Sequence, residues 1–317
     1  MTKDLMRKQA LIIDCDPGVD DAVGLQLALA APELEVLAIT TVGGNVPVAK
    51  TSRNARIVRQ AAGREDVPVF AGAARPLVRA PAGAGEFHGA EGLGDIRPFE
   101  PDAPLDGDDA VEAIIDIVRS RPAGSVAAAV MGPMTNLALA IRKAPDIAGR
   151  LGPVAVMGGA RAEGGNITAS AEFNVWADPD AAAEVFHSGA KVVAFGLDAT
   201  HQVRATEERI ARIEAIGGAA AAMAASTLRF SQRIEREIVG WDAAPLHDPC
   251  TVAWLMRPEL FRLKPCRIEV ETGSDLTRGH TAVEFRVDAA EAPHLWAVAA
   301  DGEGVFDLIA ETLKAAA

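Results

Sequence analysis

The sequence predicts an α/β fold, an open and mostly parallel sheet with helices on both faces, formed by residues 1–317 as a single domain. Short apolar segments of strand length alternate with longer segments of helical pattern over most of the chain. This order favours parallel strands joined by crossover helices. With 317 residues, of which 49% are hydrophobic, the chain can bury a large core.

The first half of the chain carries four predicted strands. An apolar run from Leu11 is broken at Pro17 and Gly18, and a helix follows over residues 22–30. The pattern then predicts, in order, a strand over 34–42, a helix over 46–62, a strand over 67–71, a helix over 108–120, a strand over 126–131 and a helix over 135–143. Residues 75–104 are rich in Gly, Pro and Ala and are predicted to form a long surface loop, of the kind that often acts as a lid.

The second half continues the alternation. The pattern predicts a strand over 154–157, an irregular polar loop to Asp178, a helix over 179–187 and a strand over 192–197. A helical segment follows over 206–238, interrupted near Gly217, and a further helix begins at His247-Asp248-Pro249 and runs to 256. The last predicted elements are strands near 266–271 and 281–287, then a strand and a helix ending at 317.

Composition narrows the class of protein. The net charge of −13 argues against non-specific binding to nucleic acid or to anionic membranes, both of which need a basic surface. Three cysteines without a CxxC motif favour a reducing compartment over a disulfide framework or zinc site. No secretory leader or membrane-length apolar run is apparent, so we expect a cytoplasmic protein. The sequence contains no tyrosine, which excludes that residue from catalysis.

Four carboxylates lie within eight residues where the first strand ends. Asp14 and Asp16 alternate with Cys15 and should point to the same side of the sheet, and Asp20 and Asp21 fall at the helix start. Carboxylates packed this closely repel one another unless a cation binds between them. An oxygen-rich cluster favours a hard cation, Ca²⁺ or Mg²⁺.

Other polar residues follow later predicted strands. Each has an ordinary explanation as a turn former or helix cap, but their convergence at strand ends near the acidic cluster favours a functional site. They are Asn45, Thr135, Asn136, Asn166, Glu172, Asn174, His247 and Asp248. His88, in the long loop, and His247 are the candidates for donating a proton near neutral pH.

These segments resemble those of the inosine–uridine-preferring nucleoside hydrolase family, in the family's order and over nearly the whole chain. The matching segments are Asp14-Cys15-Asp16-Pro17-Gly18-Val19-Asp20-Asp21-Ala22, Thr40-Thr41-Val42-Gly43-Gly44-Asn45, Gly132-Pro133-Met134-Thr135-Asn136, Met157-Gly158-Gly159, Asn166, Glu172-Phe173-Asn174 and Pro245-Leu246-His247-Asp248-Pro249. The resemblance implies a nucleoside hydrolase-like fold and Ca²⁺-dependent hydrolysis of ribonucleosides to free base and ribose.

The resemblance also implies roles for individual residues. The Ca²⁺ ligands would be Asp16, Asp21, the backbone carbonyl of Thr135 and Asp248, and Asp16 would be the general base for a metal-bound water. The ribose hydroxyls would be held by Asp20, Asn45, Asn166, Glu172 and Asn174, with Met157 packing nearby and Asp248 reaching both metal and sugar. His247, with His88, would assist the departing base. Family members are commonly homodimers or homotetramers.

Two alternatives remain open from the sequence. Asp14-x-Asp16 also resembles the nucleophile and metal ligand of haloacid-dehalogenase-like phosphatases, which would make the protein a metal-dependent phosphatase or phosphotransferase. A non-catalytic nucleoside-binding protein could keep the same metal site. The preferred base stays open as well, because some relatives place tyrosines before the His-Asp pair and this chain has none there, whereas Trp241 lies close to it.

Overall fold

The structure, a computed structural model, describes residues 8–317. Its strands are β1 (Gln9–Cys15), β2 (Leu34–Thr41), β3 (Val69–Ala71), β4 (Val126–Val130), β5 (Val154–Met157), β6 (Val192–Phe195), β7 (Arg204–Ala205), β8 (Ala244–Pro245), β9 (Phe261–Val270), β10 (Thr281–Glu284) and β11 (His294–Ala300). Its helices are α1 (Val19–Ala30), α2 (Val48–Ala61), α3 (Gly85–His88), α4 (Ala110–Ser120), α5 (Thr135–Lys143), α6 (Asp146–Arg150), α7 (Phe173–Ala177), α8 (Pro179–His187), α9 (Leu197–Thr200), α10 (Glu207–Glu214), α11 (Gly218–Ile238), α12 (Pro249–Met256) and α13 (Gly302–Ala316), with a 3-10 turn at Pro258–Leu260.

Nine strands form one sheet in the order β10-β9-β11-β6-β5-β4-β1-β2-β3. The strands from β11 to β3 are parallel to one another, and β9 runs antiparallel to both of its neighbours. The prediction of a mostly parallel sheet is therefore confirmed. The chain leaves β1 towards β2 on one side and later returns to β4 on the other, so a crevice opens where the order reverses, at the carboxyl ends of β1 and β4.

Helices cover both faces of this sheet. Along β1, Leu11, Ile13 and Cys15 point into an apolar core shared with α1, α2 and α10–α13. Ala10 and Ile12 point into the opposite core, shared with α4, α5, α6 and α8. Residues on both sides are buried, which explains why the central strands read as continuous apolar runs instead of alternating ones.

The differences from the predicted elements are local. The polar stretch before Asp178 contains the short helix α7, and α6 and α9 are further short helices that the pattern did not predict. Strand β9 begins earlier than predicted and passes through Pro265, which pairs with β11 but lies outside the segment that pairs with β10. A proline lacks the N–H of a ladder hydrogen bond and is tolerated where one edge is free. The long loop is mostly irregular, as predicted, and contains α3.

Within residues 8–317, no helix combines the length and apolar character needed to cross a bilayer.

Candidate active site

A cavity of about 460 Å³ opens at the carboxyl edge of the sheet. Asp20 and Asp248, whose carboxylates lie close together, form its acidic end. Asn45, which follows β2, and Met157, at the end of β5, line the cavity as well, as do His201, three residues of α11, Trp241 and His247. The long loop lies alongside and contributes Phe87 and His88. The topology therefore brings together segments that are more than 200 residues apart in sequence.

Two glycines make room for the carboxylate of Asp16, which follows β1 and is fully buried. A Cβ atom on Gly44 would lie 2.1 Å from Asp16 Oδ2, and one on Gly132 would lie 2.5 Å from Oδ1. The backbone N–H of Asn45 donates to Oδ2 at 2.6 Å. Oδ1 is buried and has no hydrogen-bond partner in the structure. The carboxylate is therefore held on one oxygen and left unpaired on the other.

Asp20, Asp21 and Asp248 form the closest group of acids, with one oxygen of each lying within 4.8 Å of the others. Asp21 is the third residue of α1, where its carboxylate accepts the N–H groups of Gly18 at 2.9 Å and Asp16 at 3.2 Å. The side-chain amide of Asn45 adds a further bond at 3.2 Å. The start of α1 thus fixes the carboxylate of Asp21 against the backbone of Asp16, whose own carboxylate lies outside the group of three.

The pKa values of these acids are raised, because the carboxylates are buried without a compensating positive charge. Burial, together with the charge of Asp21, holds the pKa of Asp16 well above its usual range. Burial and the neighbouring Asp20 raise the pKa of Asp21 to about 7. Burial also raises the pKa of Asp248 strongly, with Asp20 as the next contribution. Among the described residues that line the cavity there is neither a lysine nor an arginine.

These observations fit a hard cation. The clustered donors are all oxygen atoms, the carboxylates lack a cationic partner in the cavity, and Asp16 Oδ1 is buried without a hydrogen bond. A divalent cation would offset the repulsion that otherwise makes four close acids costly. The chain therefore carries a candidate metal centre of the kind that binds Ca²⁺ or Mg²⁺.

Asp14 lies outside the group formed by Asp20, Asp21 and Asp248, although the sequence places it among four close acids, and its Oδ2 is buried without a hydrogen-bond partner. Its Oδ1 accepts hydrogen bonds from the Thr40 hydroxyl at 2.6 Å and from the Asn136 amide at 2.8 Å. Asn136 also donates to the carbonyl of Thr41 and accepts from the N–H of Ala73. Side chains of neighbouring strands thus bind Asp14 into a network that joins β1, β2 and the residues after β3.

Thr135, expected to present its carbonyl to the metal, begins α5 and is buried. Its hydroxyl donates to Asp178 Oδ2 at 2.6 Å. The same carboxylate caps α8 through Ala181 and accepts the N–H of Leu77 from the long loop. Asp178 therefore fixes the position of Thr135 relative to the loop that carries His88.

The expected ribose-binding residues lie together at the same end of the cavity. Glu172 caps α7 and accepts three backbone N–H groups, from Gly159, Asn174 and Val175, at 2.8–3.1 Å. The amide of Asn174 donates to the carbonyls of Met131 and Met157, and Asn166 accepts from Phe173. Met157 is buried, with its sulfur 3.4 Å from the Asn174 amide. These polar groups are held in place by backbone contacts.

Both expected histidines line the cavity, but their chemistry differs from that of surface histidines. The N–H of Val19 donates to Nδ1 of His88 at 3.1 Å, so that nitrogen is an acceptor and the ring proton lies on Nε2. Nδ1 of His247 lies 2.8 Å from the Thr200 hydroxyl. Burial lowers the pKa of His88 and lowers that of His247 to about 4. Both rings are therefore neutral near pH 7, and each carries its proton on one of its two nitrogens.

The structure adds residues that the sequence reasoning missed. The ring of His201 lies 5.8 Å from that of His247 and 5.2 Å from that of Trp241. His201 follows β6, so the signal used for other sites, a polar residue after a strand, could have found it. Glu235 also lines the cavity. It occurs within a long helix of many charged residues, where sequence offers no means of singling it out.

Comparison with known proteins agrees with this arrangement. Residues 11–307 match the family model described as inosine-uridine preferring nucleoside hydrolase. A pyrimidine-specific ribonucleoside hydrolase, RihA, of Salmonella gallinarum is 42% identical, covering 96% of this chain and 98% of its own. Among solved structures, a plant nucleoside hydrolase, PpNRh1, superposes with a TM-score of 0.89 at 32% identity, covering 96% of this chain and 99% of its own. A purine-preferring ribonucleoside hydrolase from Gardnerella vaginalis gives a TM-score of 0.91 at 30% identity, covering 97% and 98%.

The match of the family model to nearly the whole chain, the sheet topology and the acidic cavity lead to one conclusion: this chain belongs to the inosine–uridine preferring nucleoside hydrolase family and is an N-glycosyl hydrolase of nucleosides.

Proposed function

We propose that this protein is a Ca²⁺-dependent ribonucleoside hydrolase that releases free base and ribose for purine or pyrimidine salvage. The observation that carries the proposal is the lining of one cavity, which combines acids and amides with histidine and aromatic side chains. Its volume of about 460 Å³ lies within the range of small-molecule sites.

We assign the metal to Asp16, Asp21, the backbone carbonyl of Thr135 and Asp248. The support is the buried, all-oxygen donor set and the unpaired Oδ1 of Asp16. Ca²⁺ accepts six to eight oxygen ligands in flexible geometry, which suits a site completed by the hydroxyls of a bound sugar. When bound, Ca²⁺ would supply Lewis-acid chemistry, orienting the ribose and lowering the pKa of a water beside Asp16.

Asp16 is the proposed general base. Its raised pKa, caused by burial, brings its proton affinity closer to that of a base working near neutral pH. The hydrogen bond from Asn45 fixes Oδ2, so Oδ1 is the oxygen available to accept a proton. The surrounding carboxylates also favour the positive charge that develops on the ribosyl ring as the glycosidic bond breaks.

The ribose would be held by a group of polar and apolar side chains at the acidic end, namely Asp20, Asn45, Met157, Asn166, Glu172, Asn174 and Asp248. Many of these side chains are already fixed by backbone hydrogen bonds, so they lose little conformational entropy when the sugar binds. These residues outnumber His247 and His88, the two residues assigned to the base. We therefore expect selectivity for the sugar to exceed selectivity for the base.

His247, with His88, would act on the departing base. If the Thr200 hydroxyl donates to Nδ1 of His247, the ring proton lies on Nε2, as in His88. Two neutral N–H donors can stabilise electron density that moves onto the base as the bond breaks. The lowered pKa values of both rings support a role for neutral imidazoles as hydrogen-bond donors and not for protonated imidazolium ions.

The two alternatives from the sequence lose their support. A phosphatase would have to bind a phosphoryl group in a cavity whose described lining contains no lysine or arginine. A non-catalytic binding protein disagrees with the membership of an enzyme family.

The test is release of reducing sugar from a panel of purine and pyrimidine nucleosides and their 2′-deoxy analogues, before and after chelation and calcium add-back. We expect calcium-dependent ribose release that is lost with the deoxy sugars. Absence of release from every nucleoside, in protein shown to bind calcium, would contradict the proposal. The relatives named above include a pyrimidine-specific and a purine-preferring enzyme, so the panel must contain both classes.

We further propose that residues 1–317 form one domain, that the protein works in the cytoplasm and that it forms a homodimer or homotetramer. The nine-stranded sheet, which joins strands from the first and last parts of residues 8–317, supports the first proposal. All three cysteines are free and buried, as suits a reducing compartment. Light scattering coupled to size-exclusion chromatography tests the third.

A further inference from the structure

The side chain of His247 has one hydrogen-bond partner among residues 8–317, the hydroxyl group of Thr200, which lies 2.8 Å from Nδ1. His247 lines the cavity and is the residue proposed above to act on the departing base. Thr200 is fully buried and does not belong to the cavity lining. Any effect of Thr200 on the reaction must therefore pass through His247.

The backbone holds these two side chains together, although they lie 47 residues apart in sequence. Thr200 is the last residue of α9, where its N–H donates to the carbonyl of Gly196 at 3.1 Å and its carbonyl accepts the N–H of Val203 at 3.0 Å. The N–H of Leu246, beside His247, donates to the carbonyl of Val203 at 2.8 Å, and β7 pairs with β8 next to this bond. The fold therefore sets the distance between the hydroxyl and the imidazole.

The hydrogen bond runs from the Thr200 hydroxyl to the ring of His247. Nδ1 is the one partner of this hydroxyl within the part of the chain that the structure describes, and Thr200 is 0% exposed. If Nδ1 carried a proton, it would donate to the hydroxyl oxygen, and the hydroxyl proton would be buried without an acceptor, which is costly. The hydroxyl therefore donates to Nδ1, and the ring proton lies on Nε2.

His88 has the same arrangement, with a donor that cannot reverse its role. A backbone N–H can only donate, and that of Val19 lies 3.1 Å from Nδ1 of His88. In His247, Nε2 has no hydrogen-bond partner among the described residues, so its N–H is free for a ligand. The other tautomer would present a lone pair at Nε2, and a lone pair cannot donate to a departing base.

We propose that Thr200 is a positioning residue for hydrolysis: its hydroxyl holds the ring of His247 in the tautomer and orientation in which Nε2–H faces the departing base. The proposal rests on the proposed hydrolase function. Thr200 adds no reacting group to the cavity, so its removal should matter in proportion to the help that the leaving group needs.

The first test compares Thr200→Val with Thr200→Ser, using kcat/KM for the best nucleoside and for a nitrophenyl riboside, with calcium present. Valine keeps the branched shape of threonine and removes the hydroxyl, whereas serine keeps the hydroxyl. Loss of one orienting hydrogen bond corresponds to about 10-fold, so we expect Thr200→Val to slow nucleoside hydrolysis on that order. Hydrolysis of the nitrophenyl riboside, whose leaving group needs no proton, should stay within about threefold of wild type, and Thr200→Ser should keep nucleoside hydrolysis within the same range.

The second test reads the tautomer directly, by long-range proton–nitrogen NMR of the imidazole rings at neutral pH. Protonated and unprotonated ring nitrogens differ in chemical shift, and the chain has six histidines, so the signals of His247 are identified by their loss in His247→Ala. We expect the proton on Nε2 in the wild type and a mixture of tautomers in Thr200→Val. His88 is the internal control, because its Nδ1 partner is the backbone N–H of Val19 and its signals should not change.

A wild-type spectrum with the proton on Nδ1 of His247 would overturn the proposal, and this measurement needs neither turnover nor a variant of Thr200. Wild-type rates on nucleosides in Thr200→Val would also overturn it, as would equal losses on nucleosides and on the nitrophenyl riboside. In each case the wild-type enzyme would still hydrolyse nucleosides. Failure of the proposed function is a different result, the absence of ribose release from every nucleoside.

Discussion

Replacing Gly44 by alanine should displace the carboxylate of Asp16 without changing any proposed catalytic group. The new Cβ atom would lie 2.1 Å from Asp16 Oδ2 and 2.9 Å from Cδ of Pro133. The backbone of Gly44 has no left-handed conformation that would itself resist a side chain. The effect of the substitution is therefore confined to the space beside Asp16.

The size of the displacement follows from the contact. Ordinary van der Waals contact begins at 3.4 Å, so the carboxylate must move by the difference between 3.4 and 2.1 Å, about 1.3 Å. This movement breaks the 2.6 Å hydrogen bond from Asn45 and shifts the proposed base and metal ligand. A misplacement of about 1 Å can cost about 100-fold in rate, whereas overpacking of this kind costs about 1–3 kcal/mol of stability.

The assay is kcat/KM for the best nucleoside, measured together with calcium affinity and the thermal unfolding midpoint. Gly149→Ala is the matched control, because Gly149 lies in α6 and a Cβ there would meet nothing within 4 Å. We expect Gly149→Ala to behave as wild type. A folded Gly44→Ala variant with activity within threefold of wild type would refute the view that the position of Asp16 limits the reaction.

Three further predictions concern the same site. Asp16→Asn should lower kcat/KM by about 100- to 10,000-fold, as expected for loss of a general base, and should weaken calcium binding measured by calorimetry; near-normal turnover would remove its role. His247→Ala should slow the hydrolysis of nucleosides by about 100-fold. It should spare a nitrophenyl riboside, because nitrophenolate is a good leaving group and needs no proton. Equal losses on both substrates would exclude His247 as the donor to the base. Burial raises the pKa of Asp14 to about 6 and of Asp21 to about 7, above the ordinary value of 3.8, so the folded metal-free protein binds protons more tightly than the unfolded chain. Its free energy of unfolding should therefore fall as pH rises from about 4 to 7, and saturating calcium should reduce this dependence; a metal-free protein most stable at pH 7 would contradict the assignment.

Much of the fold follows from sequence periodicity, because the central strands are short apolar runs that end at glycine, proline or polar residues. The break between α10 and α11 at Gly217 was predicted for the same reason, and Gly217 has a φ of +75°. The helices α6, α7 and α9 have only four or five residues, too few for a helical period to emerge. The strand predicted near 266–271 is the C-terminal part of β9, which begins at Phe261.

The site was predicted less evenly than the fold. Asp20, Asn45, Met157, His247 and Asp248 line one cavity, because strand ends converge at one edge of a parallel sheet, whereas Asp16, Asp21 and Thr135 are buried outside its lining. The separation of Asp14 from the other acids depends on its partners Thr40 and Asn136, which lie 26 and 122 residues away in sequence. Such contacts between distant residues leave no local pattern.

The acidic character of the cavity has a consequence for the mixture of metabolites that the enzyme meets. A phosphate ester carries a charge of about −1.5 to −2 at neutral pH, and the described lining offers it acids but no lysine or arginine. Nucleotides should therefore bind weakly because of electrostatic repulsion, although they contain the same base and sugar. The enzyme would degrade only molecules that have already lost their phosphate, and phosphorylation would protect a nucleoside from it.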